Sequence, residues 1–436
     1  MNWLRGRLSL AALVGVALAG SALGATSTAA RTTRTQAQSG AISVGVVAPF
    51  TGPAAEFGTL LGAPCYAATM LINKAGGVMG HKFTCVPVDD TGDAADAVPN
   101  VTRAIATVSN FDLAIGLESN TAATTVPLVN RAHIPIITTN GLVAYDKTKD
   151  KYFWRLTPAD NANGAAFMAF AAEHGWRRAA VVFENNITAT GNLPGVLAAA
   201  SKLHTKIALN LTIPADAASY SSVVERVIAA KPKVLVFSAD PQSTATFLSE
   251  YSQLNGGKLP PMVTATDALT PDFFNAVSKA VGVHYITHSI FLVGSYFSNT
   301  TPAFFSYRKA MFTDPHTKKI AGVITTVGPP ASAFDGINIA ALAMLEAHST
   351  VGSVYNSYIT KVVAATHGAQ VVHTFAAGKA ALAAGRKIQF QGVVGPVSFN
   401  KYHNFAGEFA ATVFRPNKSA VRVAIISGGE VSQLLG

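Results

Sequence analysis

Short apolar runs alternate with stretches of helical periodicity along most of this chain. Ile42-Ser-Val-Gly-Val-Val-Ala48 is apolar almost without a break and ends at Pro49, the pattern of a buried strand. Thr51-Gly-Pro then opens a helical stretch reaching Lys74, with an irregularity expected at Pro64, and Ala75-Gly-Gly77 terminates it. Phe83 to Val88 reads as the next strand. Asp89-Asp-Thr-Gly-Asp93 is a turn, with Asp93 placed to cap a helix through about Thr107. The pattern repeats as strand Leu113–Gly116, helix Thr121–Ala132 and strand Ile134–Thr138. Further strands are predicted at Ala179–Phe183, Val234–Phe237 and Pro261–Thr264, with helices near 189–203, 219–230 and 241–254. This alternation predicts an α/β fold with parallel sheets covered by helices on both faces. Apolar segments at 283–293, 411–415 and 421–426 read as late strands, by which the chain would return to complete sheets begun earlier. Pro158, followed by Ala-Asp-Asn-Ala-Asn, is a candidate crossing between domains.

The first 40 residues break the pattern. Arg5 and Arg7 precede an apolar run from Leu8 to Leu23, and small residues follow at Ala22-Leu-Gly24 and Thr28-Ala-Ala30. That is the layout of an export signal, here taken as residues 1–30, with 31–40 a flexible spacer. A membrane anchor is the alternative, but a spanning helix needs about 20 apolar residues and the polar Ser/Thr/Arg stretch arrives too early. Ile337 to Ala347 is the most apolar later segment, and Asn338 and Glu346 mark it as a core helix. The mature protein is expected to be soluble outside the cytoplasmic membrane, periplasmic or at the cell surface.

Composition narrows the function. At 436 residues the chain exceeds what one core usually supports, so two domains are expected. Lysine and arginine exceed aspartate and glutamate by 33 to 23, but four of the arginines lie in the first 40 residues, where there is no acid. The remaining excess is too dilute and unclustered for nucleic-acid binding. A hydrophobic content of 49% excludes disorder. Cys65 and Cys85 are the only cysteines. In an oxidising compartment an even count suggests a disulfide; two buried thiols are the other possibility.

No P-loop, GxSxG elbow, HExxH or GxGxxG follows a strand, so no motif supports an enzyme or a cofactor site. His284 and His288 stand four apart in what reads as strand, and ordinary packed or surface histidines are the simpler reading. Asp89-Asp-Thr-Gly-Asp93 resembles the start of a calcium loop but lacks its glutamate, since residue 100 is Asn. Asp240 and Asp267 are isolated carboxylates. What remains is loop chemistry at strand ends, where open parallel sheets bind ligands. Ser119, at the start of a helix after one strand, offers a hydroxyl and helix N–H groups to an anion, or serves simply as an N-cap. Thr138-Thr-Asn140-Gly-Leu142 follows the next strand, with backbone and amide polarity, or is an ordinary turn.

Several segments together carry a family resemblance. VGVVAPFTGPAAEFG at 44–58, INKAGGVMG at 72–80 and VDD at 88–90 resemble the amino-terminal signature of the leucine/isoleucine/valine-binding protein family, the type I periplasmic solute-binding proteins of ABC importers. IGLESN at 115–120, HIPIITTN at 133–140, KYFWRLTP at 151–158 and FQGVVGPVSF at 390–399 extend the resemblance over almost all of 41–427. The resemblance implies two Rossmann-like lobes with parallel-type sheets, joined by a three-crossing hinge, with ligand in the cleft between them. The amino-terminal lobe would be 41–158 plus 286–386, and the carboxyl-terminal lobe 159–285 plus 387–436. By the same resemblance Ser119 matches the hydroxyl that helps hold a ligand carboxylate. Asn140 matches a position presenting a backbone carbonyl to an ammonium group, and Leu142 falls where members carry a carboxylate-binding Thr. Phe57 matches an aromatic but lacks its hydroxyl, and Thr188 stands near a second aromatic position. The ammonium-binding acid maps to Asp267, with Asp240 on a neighbouring loop. Phe334-Asp335 matches an aromatic–Asp pair at a helix start, with Phe334 a candidate for the cleft lining and Asp335 structural.

These departures widen the ligand class beyond amino acids to a carboxylate, an amide or an aromatic acid. The function implied is capture of a small polar metabolite by a monomer, without metal, cofactor or catalysis, and delivery to an ABC transporter permease. A ligand-sensing receptor ectodomain on the same fold is the alternative, and an exported enzyme a third.

Overall fold

The computed structural model describes residues 40–52, 55–325, 328–405 and 407–436. The expected export signal and most of the spacer lie outside them. Five strands, β1 (Ile42–Ala48), β2 (Phe83–Asp89), β3 (Phe111–Gly116), β4 (Ile136–Thr138) and β5 (Phe153–Arg155), form an all-parallel sheet in the order β2-β1-β3-β4-β5. β1 is buried along its whole length because helices cover both faces. Val44, Val46 and Ala48 face one core, with the helix Ala55–Lys74, while Val47 faces another with Ala114 and Val126. The helix Ala55–Lys74 runs through Pro64 without interruption. Asp93 caps the helix Ala94–Thr107 by accepting from Ala95 N–H.

β6 (Arg178–Glu184), β7 (Lys206–Ile213), β8 (Val234–Ser238), β9 (Met262–Ala265) and β10 (Ile290–Ser295) open a second parallel sheet. β11 (Gln370–Val372), β12 (Ile388–Gly392) and β13 (Gly395–Pro396) make a small separate sheet. β14 (Phe409–Phe414) and β15 (Ala420–Ile426) then return antiparallel onto β10, giving the order β15-β14-β10-β9-β8-β6-β7. Alternate residues again serve two cores: Val181 and Phe183 on one face, Ala180 and Val182 on the other. The α/β class and the pair of mainly parallel sheets are those expected from the sequence.

Membership of these cores corrects the expected boundaries. β10 pairs with β9, so the stretch 286–295 lies with the second sheet, and the chain leaves that sheet only after Ser295. The helices Pro302–Thr313, Gly328–Glu346 and Phe375–Ala383 pack on the first sheet's core, and so do Ile388 and Phe390 of β12. The last passage to the second sheet therefore falls after β13, well past residue 386. The apolar run 283–293 misled because it contains two elements: a helix, Val283–His288, and then β10. His284 and His288 thus share a helix face rather than a strand face, their rings stacked 4.3 Å apart. β7 escaped the sequence reading because it is an edge strand with little buried surface.

Cys65, in the first helix, is bonded to Cys85 of β2, with Cα atoms 6.0 Å apart. The acidic turn at 89–93 is a structural clasp. Asp89 accepts from Phe50 N–H, Thr51 N–H and Thr51 Oγ1, and Asp90 accepts from Thr121 Oγ1 at 2.7 Å. Burial pulls the Asp89 carboxyl up, but those bonds outweigh it and hold it below its ordinary value.

Candidate functional site

The loops at the carboxyl ends of the strands face one another across a cavity of about 160 Å³. Its walls come from both sheets: Ser119, Thr139 and Asn140 follow β3 and β4, while Thr188, Thr266 and Asp267 follow β6 and β9. The size is close to the roughly 150 Å³ known to accommodate a benzene ring.

On the first-sheet side the turn after β3 sets the geometry. Gly116 has φ +89, and a Cβ there would lie 2.1 Å from Val47 O, so no larger residue fits. Leu117 N–H then donates to that same Val47 carbonyl at 2.8 Å. The turn delivers Glu118 to the N-cap of the helix Ser119–Arg131, where its side chain makes no capping bond. Thr138 Oγ1 donates to Gly116 O, and Asn140 Nδ2 donates to Leu117 O at 3.1 Å. Asn140 Oδ1 accepts from Leu142 N–H, so this amide joins the two loops and is spoken for on both sides. Gly141 lets Asp160 approach: a Cβ there would sit 1.8 Å from Asp160 Oδ1. Asp160 begins the helix Asp160–Glu173, whose buried residues pack on the second sheet.

Five of the eight residues expected from the sequence line the cavity: Phe57, Ser119, Asn140, Thr188 and Asp267. The other three stand elsewhere. Leu142 is buried in the core beneath β4. Asp240 caps the helix Pro241–Leu254, accepting from Ser243 N–H at 2.7 Å and Ser243 Oγ at 2.9 Å. Phe334 packs in the first core, 5.0 Å from the Tyr307 ring. Asp335, read as structural, is fully buried and accepts from Val394 N–H.

Two acids escaped the sequence reading, Glu118 and Asp160. Burial, followed by the charges of Asp90, Asp267 and Asp160, pushes the Glu118 carboxyl up to about 8. Burial and then Asp267 raise Asp160 to about 7, against the pull of Arg155. Asp267 stays accessible to water in the cleft, yet the surrounding protein raises it too. Glu118 was visible inside the segment IGLESN, and Asp160 inside the Pro158 crossing, but nothing in their spacing brought them together.

These shifts fix a pH dependence. Carboxyls titrate near about 4 in an unfolded chain, so the folded protein binds these protons more tightly between about pH 4 and 8. Their contribution to stability is fully present at the acid end and is lost as pH rises through the raised values. Glu118→Gln should therefore raise the Tm of the empty protein strongly near about pH 8.5 and leave it nearly unchanged near about pH 4. Equal shifts at both pH values would contradict the clustering.

Two α/β bodies that face a shared cavity with the carboxyl ends of their strands define a bilobal binding protein. A family of periplasmic binding proteins matches residues 41–418, and the chain belongs to it. The fold is similar to that of a branched-chain amino acid transporter substrate-binding protein from Streptococcus pneumoniae in complex with isoleucine. That match has a TM-score of 0.69 and 17% identity, and covers 89% of this chain and 99% of the other. It is similar also to a solute-binding protein of an ABC transporter from R. palustris in complex with benzoate, at TM-score 0.68 and 16% identity, over 89% and 97%. In sequence, 57 residues are 42% identical to a Leu/Ile/Val-binding protein homolog of Brucella melitensis, spanning 13% of this chain and 16% of that relative. No helix among the described residues is long and apolar enough to cross a membrane.

Proposed function

We propose that this protein captures a small organic solute between its lobes outside the cytoplasmic membrane and hands it to the permease of an ABC importer. The observation that carries the reading is a cavity walled by strand-end loops of both sheets, with Ser119 and Asn140 on one side and Thr188 and Asp267 on the other. The family supports it, as do the isoleucine and benzoate held by proteins of the same fold. We take the lobes as 40–156 with 297–405 and 159–295 with 407–436, and residues 1–30 as the export signal.

A solute that touches both lobes has more contacts when they close, and only that difference in affinity can shift the equilibrium towards the closed form. Binding at about micromolar Kd corresponds to about −8 kcal/mol, enough for scavenging. The test is a metabolite panel followed by thermal shift and small-angle scattering. A true ligand at about 100 times its Kd should stabilise the protein by about 2.7 kcal/mol and reduce its radius of gyration. A panel in which no compound raises Tm or compacts the particle would remove the reading.

A further inference from the structure

We infer that the solute held in this cleft is a small organic cation, bearing an amine or guanidinium group and no carboxylate. The inference rests on the solute-capture reading and adds the ligand's charge. Three carboxyl groups reach the cavity from separate elements: Glu118 at the start of the helix Ser119–Arg131, Asp160 at the start of the helix Asp160–Glu173, and Asp267 in the turn after β9. No lysine, arginine or histidine is among the described residues that line it.

The base whose charge acts on Asp160 is Arg155, held through its two terminal nitrogens while its Nε is buried without a hydrogen-bond partner. Arg155 Nη1 donates to Leu142 O and its Nη2 is paired with Asp146, so it acts on Asp160 only through space. Asp160 Oδ2 is buried and has no hydrogen-bond partner. Glu118 has none among the described residues either. Carboxyls gathered without donors at a partly desolvated cavity are costly, and a ligand with N–H donors and a positive charge entering it would offset that cost. Apolar contact for its stem is supplied by Phe57, Leu60 and Leu269.

A carboxylate ligand meets the opposite situation. The free N–H groups at the start of the helix Ser119–Arg131 would attract it, but Glu118 stands at that same helix end. Glu118 faces Asp90 from the loop after β2, Asp160 from the adjoining helix and Asp267 from across the cleft. Asp160 in turn faces Asp267, Arg155 and Asp146. A cation entering this set displaces protons from it, so its affinity rises with pH. An anion needs those protons retained, so its affinity falls with pH.

The test is calorimetric titration of the full chain with 1,4-diaminobutane, agmatine and methylamine as cations, L-isoleucine as a zwitterion and benzoate as an anion, each at pH 6, 7 and 8. At least one cation should bind, tightening by up to about tenfold per pH unit for each proton released. Isoleucine and benzoate should bind at least about 30-fold more weakly, a gap of about 2 kcal/mol. The double variant Glu118→Gln/Asp267→Asn should weaken the cation at least about tenfold and flatten its pH slope. It should melt no lower than wild type at pH 8, which shows that it folds. Isoleucine or benzoate binding more tightly than every cation, no cation binding at all, or a double variant with unchanged affinity would each overturn the inference. In the first case solute capture stands; it falls with the inference only if no compound in any arm binds.

Discussion

Replacing Arg155 by methionine should lower the stability of the folded protein by about 3–5 kcal/mol, the usual result of leaving one partner of a buried ion pair without the other. Arg155 ends β5 and is only 2% exposed. Its guanidinium is paired with Asp146 and also donates to Leu142 O at 2.9 Å. Its backbone ties the first sheet to a late segment: Arg155 N–H donates to His403 O, and Phe405 N–H donates to Arg155 O, both at 3.0 Å. Asn404 between them donates to Tyr145 O and Asp146 O. Methionine fills the volume of the stem but leaves the half-buried Asp146 carboxylate without its cation, with Asn161 Nδ2 still donating to it. Urea denaturation should show an earlier midpoint with an unchanged slope. Adding Asp146→Asn should recover part of the loss, because the orphaned charge goes with it. A loss below about 1 kcal/mol, the range of a solvated surface pair, would show that the pair is not buried in effect.

Removing the disulfide is the second large change. Cys65 and Cys85 are 20 residues apart, and a closed loop of that size restricts the unfolded chain by about 3 kcal/mol at 25 °C in the chain-entropy account. The double variant Cys65→Ala/Cys85→Ala should lose about that much, plus a smaller amount for space vacated around the fully buried Cys65. Wild-type protein denatured in reductant should approach the variant. Equal stability of oxidised wild type and variant would show that the unfolded chain is already restrained over this stretch.

How far the sequence could be read depended on what each residue answers to. The strands β1, β6 and β8 were plain because their residues are buried on both faces, which writes an apolar run into the chain. Asp93 was plain because an N-cap is a local decision. β7 was missed because its exposed side chains answer to no core, and the segment 283–293 because a helix and a strand of similar polarity abut there. In the cleft, Ser119 and Asn140 follow directly from strand ends and were found. Leu142 and Phe334 were drawn towards the ligand by resemblance, and both turned inward because an apolar side chain gains more in the core. Asp240 was an unassigned acid until its Ser243 partners were visible. Glu118 and Asp160 meet only because Gly116 and Gly141 let two loops crowd together, a coincidence in space that no spacing along the chain encodes.

The chain passes from the first sheet to the second after β5, back again after β10, and over once more before β14. Neither half is therefore an uninterrupted length of polypeptide, and neither can be finished until almost the whole protein has left the ribosome. A protease that severs any single connection still leaves two covalent ties, so a nicked molecule should run as fragments under denaturing conditions while remaining one particle in solution.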